Sequence, residues 1–221
     1  LMIRNIYHHY KKHAIENLLI KFLEKLSCCL PKESFLKKYK DSKLGQLLMG
    51  AQKFNKNVGD AGPSDEQTKK FLKENFELYK HLGDGHVLSV ISELAFSTKE
   101  HDLVTLAQRI YFRQVPEVYP LDISHINEAQ EIVDDFKAKH KGVIRDWQLD
   151  VISTPQLCYT GDDDPIYVLE RSGKVRKISD LSLMLGSLSD KYEHSCSLFI
   201  DCGLKDFSPV RELIEKLAPF Q

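Results

Sequence analysis

The sequence has no long hydrophobic run. Its most apolar stretch near the start, Ile15 to Leu30, is interrupted by Glu16, Lys21, Glu24 and Lys25. A membrane-spanning helix needs about 20 nearly continuous apolar residues, so no helical span is expected. The opening residues are amphipathic and lack a continuous apolar core followed by a small-residue cleavage site, so no signal peptide is expected. None of the five cysteines (Cys28, Cys29, Cys158, Cys196, Cys202) forms a C-x-x-C pair. Reduced thiols in a cytoplasmic protein are the expectation, rather than a disulfide framework or a zinc ribbon. The chain also lacks a glycine-rich phosphate loop, a nucleophile elbow, a Cys–His spacing suited to catalysis, internal repeats and low-complexity segments. These absences exclude the commonest short signatures of nucleotide binding and acyl transfer.

What is present is an ordinary mixture: 221 residues, 42% apolar and 29% charged. That is enough for one large domain or a small pair. The net charge is −1, unevenly spread. Residues 1–60 carry 12 Lys/Arg against 5 Asp/Glu, a balance of +7, and the rest carries −8. A basic end favours phosphate-bearing partners, although a solvated lysine-rich helix face has the same composition.

Residues 2–29 read as one helix. Ile3, Ile6, Tyr7, Tyr10, Ala14, Leu18, Phe22 and Leu26 recur near a 3.6-residue period, and Pro31 ends the pattern. Shorter helices follow in "KESFLKKY" and "KLGQLLMGAQKF", then a loop over 55–67 with Ser64 as the cap of the next helix, "DEQTKKFLKENFELYKHL". "DGHVLSVISELAFST" is another helix, with Val87, Leu88, Ile91, Leu94 and Ala95 as its buried stripe, and "KEHDLVTLAQRIYFRQ" is the last before Pro116. Beyond Pro120 come a helix ended by Gly142, strands in "WQLDVIS", "PIYVLE" and "SCSLFIDC", a two-residue hairpin at Ser172-Gly173, and a final helix with Ser208 as cap. The fold class expected is α+β: a helical region over 1–118, then a small α+β region with an antiparallel sheet over 119–221.

Three clusters invite a chemical reading. "YHHYKKH" places His9 and His13 four apart on a helix, a zinc-ligand spacing, but two lysines lie between them and no H-E-x-x-H glutamate does. His101-Asp102 has the form of a phosphohydrolase metal pair, yet sits where a helix first turn normally takes such residues. "TGDDDP" lacks the alternating oxygen ligands of a calcium loop. None is assigned as a metal or catalytic site. The first helix, with Tyr and His on one face and Arg4 and Lys11 near, is the one plausible site element, suited to stacking on a base and holding phosphates.

The order of these features resembles the HD-domain phosphohydrolases, specifically the deoxynucleoside triphosphate triphosphohydrolase type. "LMIRNIYHHYKKHAIENLL" resembles that family's helix with an R-x-x-Y-x-H core. "LYKHLGDGHVLSVISELAFSTKEHDLVTLAQRIYFRQVPEVYP" resembles the later segment that ends in an aromatic-Arg pair, and "PIYVLERSGKVRKISDLSLMLGSLSDKYEHSCSLFID" resembles the α+β region. The resemblance implies that residues 1–118 are the C-terminal part of an HD-type helical domain. It implies that Tyr7, His9 and, less directly, Arg4 and Lys11 form one wall of a nucleotide pocket. It also implies that the family's metal ligands lie upstream of this helix. The chain alone is then expected to bind no cofactor and to be inactive, the divalent metal (Mn, Mg, Fe or Zn) belonging to the parent enzyme. The start at Leu1, inside a helical pattern with no cap, agrees with a fragment whose partner is its N-terminal half or a second copy. The rival expectations are a non-catalytic regulatory or scaffolding module and, more weakly, a nucleic-acid binder.

Overall fold

The computed structural model describes residues 10–58, 62–99, 101–157, 165–183 and 192–220. It divides into two compact units, Leu1–Pro116 and Glu117–Gln221. The first is helical and the second is α+β, as the patterning requires.

In the first unit, α1 (Tyr10–Cys29) packs against α7 (Asp102–Tyr111) and α3 (Lys43–Val58). Ala14, Leu18, Phe22 and Leu26 form its buried stripe, each no more than 2% exposed, because residues four apart return to one helix face. The expected "KESFLKKY" helix is a 3-10 turn, Ser34–Leu36, followed by α2 (Lys37–Lys40). Gly45 in α3 approaches the α2–α3 connection closely. A β-carbon there would run into the carbonyl oxygen of Tyr39 and lie 3.0 Å from its carbon, so only glycine fits. Helix α3 reaches Val58, further than the loop expected from residue 55.

Ser64 does cap α4 (Asp65–Glu74), with Gln67 completing a reciprocal capping box. The single helix expected up to Leu82 is instead broken at Asn75, and α5 (Phe76–Tyr79) follows. The Asn75 side chain donates to the Phe71 carbonyl at 2.9 Å, competing with the helix ladder. Helix α6 (Asp84–Ala95) packs on α7, and its buried residues are Val90, Ile91, Leu94 and Ala95. The expected stripe is corrected at its start: Leu88 is 58% exposed.

In the second unit, β1 (Glu117–Leu121), β5 (Tyr192–Ile200) and β2 (Leu149–Leu157) form an antiparallel sheet in the order β1-β5-β2. Strand β1 was not expected from sequence, because Pro120 lies inside it. A proline is tolerated at a sheet edge, where its missing N–H removes no ladder bond. Helices α8 (Ile126–Lys139) and α10 (Ser208–Leu217) cover one sheet face, burying Ala129, Val133, Val210, Leu213 and Leu217 against Leu149, Leu198 and Ile200. Ser208 is the first helical residue of α10 rather than its cap, and Phe207 takes the cap position.

A separate ribbon pairs β3 (Tyr167–Leu169) with β4 (Val175–Lys177), followed by the single turn α9 (Ile178–Leu181). Its connection has three residues rather than two: Glu170 N–H donates to the Lys174 carbonyl, and Gly173 supplies a φ of +81°.

Candidate functional site

Of the four residues expected to face a nucleotide, Arg4, Tyr7 and His9 lie outside the described residues. Lys11 is exposed in the first turn of α1. One turn on, Glu16 draws in both neighbours of the basic motif: His13 Nδ1 lies 3.1 Å from Glu16 Oε2, and Lys12 Nζ lies 3.4 Å from Oε1. This part of "YKKH" is thus a locally neutralised helix face.

His101 and Asp102 face α1. His101 caps α7: its Nδ1 accepts the Leu103 N–H at 3.0 Å. That bond places the proton of the neutral ring on Nε2, which lies 3.9 Å from Cys29 Sγ. The ring meets Phe35 edge-on at 5.5 Å. Asp102 Oδ2 lies 3.0 Å from Lys25 Nζ, and Lys25 and Cys29 are four apart on α1. The dipeptide is therefore a clasp between α1 and α7.

It is not an activated Cys–His pair either. Burial pushes the Cys29 thiol up, only partly opposed by Lys25, and the nitrogen facing it carries a hydrogen rather than a lone pair. Among the described residues, no group of three or more His, Cys, Asp and Glu is arranged to hold a metal ion. The Asp162–Asp164 part of "TGDDDP" lies outside the described residues. Cys28, Cys29, Cys196 and Cys202 are free thiols. Cys196 is buried within β5, and Cys202 is half-buried in the turn beyond it.

A second polar cluster joins α2 to α6. The carboxylate of Glu93 accepts from Lys38 and, at 2.7 Å, from the Tyr39 hydroxyl. The Lys38 ammonium, and then the Tyr39 hydroxyl, hold the Glu93 carboxyl below the usual carboxylate range. Burial, then the Glu93 bond, raises the Tyr39 phenol. Ser42 Oγ donates to the Tyr39 carbonyl at 2.6 Å and accepts from Gly45 N–H at 3.0 Å. The whole α2 turn is fixed by these bonds, a feature with no signal in residue spacing because the partners are 54 and 55 positions apart.

In the second unit, Asp201 is 2% exposed and fully engaged. Its Oδ2 accepts from Gly203 N–H at 3.0 Å and from Gln148 Nε2 at 3.3 Å, while its own N–H donates to the Gln148 carbonyl at 2.7 Å. Asp201 thus ties the end of β5 to the start of β2.

Two further exposed features lie in the first unit. Phe96, Tyr111 and Phe112 meet edge-on in all three pairings, with centroids 5.1–5.8 Å apart, and all three are exposed. Leu72, Phe76 and Tyr79 are likewise exposed along α4 and α5.

No family model matches the chain, and no curated protein does. Among solved structures it is similar to a phosphohydrolase from Bacteroides thetaiotaomicron, with 18% sequence identity and a TM-score of 0.52. The likeness covers 91% of this chain and 47% of the other, so the chain spans about half the length of that protein. No helix among the described residues is long and apolar enough to cross a membrane. The similarity is one of architecture: this chain has a phosphohydrolase-like fold.

Proposed function

We propose that the chain is the C-terminal part of a metal-dependent HD-domain phosphohydrolase of the deoxynucleoside triphosphate triphosphohydrolase type. The observation that carries this reading is the fold similarity to a phosphohydrolase over 91% of the chain, joined to the order of its motifs. In this reading Tyr7, His9, Arg4 and Lys11 supply one pocket wall, and the α+β unit serves regulation or oligomerisation. The tyrosine packs against the sugar or base, excluding water and positioning the substrate.

A divalent ion would polarise the phosphoryl group and activate water. The described residues do not fit such an ion, since His101 caps a helix and Asp102 faces Lys25. The metal ligands in this reading come from outside this chain.

The test is dNTP hydrolysis with added manganese or magnesium, with metal content measured on the same sample, for this chain beside a form extended upstream in its own gene. Activity confined to the extended form is expected. Metal-dependent turnover by this chain alone, or silence in both, overturns the reading. Loss of nucleotide binding on Tyr7→Ala tests the pocket wall separately.

A second reading, a non-catalytic regulatory or scaffolding module, is favoured by the exposed apolar side chains Leu72, Phe76, Tyr79, Phe96, Tyr111 and Phe112. Exposed apolar surface of this kind marks association sites. It predicts that Tyr7→Ala leaves nucleotide binding unchanged while partner association persists.

A further inference from the structure

We propose that the turn joining α1 to α3 is a binding site for polyphosphate anions. It forms a concavity of about 270 Å³ whose polar lining is Lys32, Glu33, Ser34, Lys37, Lys40 and Asp41.

The charge there is unspent. Elsewhere in the same unit, Lys12, Lys25, Lys38 and Lys80 each sit within 3.4 Å of a carboxylate oxygen. Lys32, Lys37 and Lys40 have no such partner among the described residues, although Glu33 and Asp41 share their lining. The Ser34 hydroxyl also has no hydrogen-bond partner among the described residues. The lining therefore offers three ammonium groups and a hydroxyl as donors without acceptors. Lysine is a point-charge binder of phosphate, and a lining with several separated ammonium groups suits an anion with several phosphates better than a single one.

The lysines are also carried on a rigid support. Leu30, Leu36 and Tyr39 alternate with them along the chain and are buried, at 2%, 0% and 7% exposure. Tyr39 is held by Glu93 and Ser42. A site on fixed backbone loses less entropy on binding than one on a loose loop. Glu33 and Asp41 bring the lining to a net +1, so selectivity rests on donor placement rather than on bulk charge.

The experiment is calorimetric titration of the 221-residue chain with inorganic tripolyphosphate, dATP, deoxyadenosine and sulfate. Tripolyphosphate and dATP are expected to bind comparably, and deoxyadenosine and sulfate at least tenfold more weakly. The triple variant Lys32→Gln, Lys37→Gln, Lys40→Gln should weaken both polyphosphate ligands at least tenfold. The Lys53→Gln, Lys56→Gln variant, also at exposed sites on this unit, should stay within twofold of the parent. All these side chains are solvent-facing, and matched melting curves confirm the fold. Binding of dATP without tripolyphosphate, equal loss in both variants, or an unchanged triple variant each overturns the proposal. The readout is binding to this chain, so it stands or falls separately from hydrolysis by a longer one.

Discussion

Asp102 Oδ2 lies 3.0 Å from Lys25 Nζ, and the adjacent His101 Nε2 lies 3.9 Å from Cys29 Sγ, so the first residue of α7 and its cap grip two residues one turn apart on α1. If this clasp is structural, His101→Ala removes a cap and lowers stability by about 1 kcal/mol, while His101→Asn, which keeps a capping side chain, recovers most of it. Urea midpoints of the three proteins decide this. Metal content by mass spectrometry should be the same in all three. A metal lost on His101→Ala would contradict the clasp.

Gly45 leaves no room for an added β-carbon. Gly45→Ala drives a methyl group into the Tyr39 carbonyl, and relief requires α2 or α3 to shift. A loss of about 2–3 kcal/mol is expected, in the range of overpacked sites. Gly83→Ala, where a β-carbon meets nothing within 4 Å, is the control for the added methyl group. Equal melting temperatures for the two variants would show that the close approach is relieved at no cost.

The Glu93 clasp has a defined pH sense. Its carboxyl is held below the ordinary range by Lys38 and Tyr39, so folding favours the ionised form. The contribution is present above the unfolded carboxylate value, about 4.3, and is lost as pH falls through the lower folded value. The pair is largely exposed, which keeps the effect small. Comparing wild type with Glu93→Gln, the stability gap should be constant from neutral pH to about 5 and should close in more acid solution. A gap that is unchanged at low pH would refute the assignment.

Thiol reactivity should rank by burial. Cys28 is exposed, while burial raises the thiols of both Cys29 and Cys196. Thiolate is the reacting species, so iodoacetamide at neutral pH should modify Cys28 first and the other two only on unfolding. Peptide mapping of a time course reads this out directly. The neighbouring pair Cys28 and Cys29 gives an internal comparison within one peptide.

Asp201→Ala should destabilise the second unit through lost hydrogen bonds rather than lost packing. It removes a nearly inaccessible carboxylate that accepts from Gly203 N–H, Gln148 Nε2 and, at 3.8 Å, the Cys202 thiol, leaving the Gly203 N–H and the Gln148 amide unsatisfied. A loss of about 2 kcal/mol is expected by chemical denaturation. Asp201→Asn, which keeps one acceptor oxygen, should fall between the two. A loss under about 0.5 kcal/mol, the range of ordinary surface changes, would mean that water replaces the lost acceptor.

Helical periodicity was legible where one face alone is apolar, as in Ala14, Leu18, Phe22 and Leu26 of α1. It misled in α6, where Val87, Leu88, Val90 and Ile91 offer apolar groups on two faces and packing on α7 selects the later ones. Strand β1 was hidden because proline argues against a strand unless the strand is an edge, and edge status is a property of the sheet, not of five residues. The clasp and the Glu93 cluster were illegible for a related reason: each joins groups more than 50 positions apart. Three of the four proposed nucleotide-facing residues, Arg4, Tyr7 and His9, fall outside the described structure, so their roles rest on the motif alone.

The strand order of the second unit has a bearing on how the polypeptide is made. The central strand, Tyr192–Ile200, is the last of the three to leave the ribosome, and its two neighbours begin at Glu117 and Leu149. Neither neighbour has the other to pair with, so for more than 30 residues of synthesis beyond Leu157 both wait without a ladder. Closure over such separations is entropically slow. A nascent or cleaved chain ending between Leu157 and Tyr192 therefore carries two orphan strands and lacks the three-stranded sheet, a species for chaperones and proteases rather than a smaller folded protein.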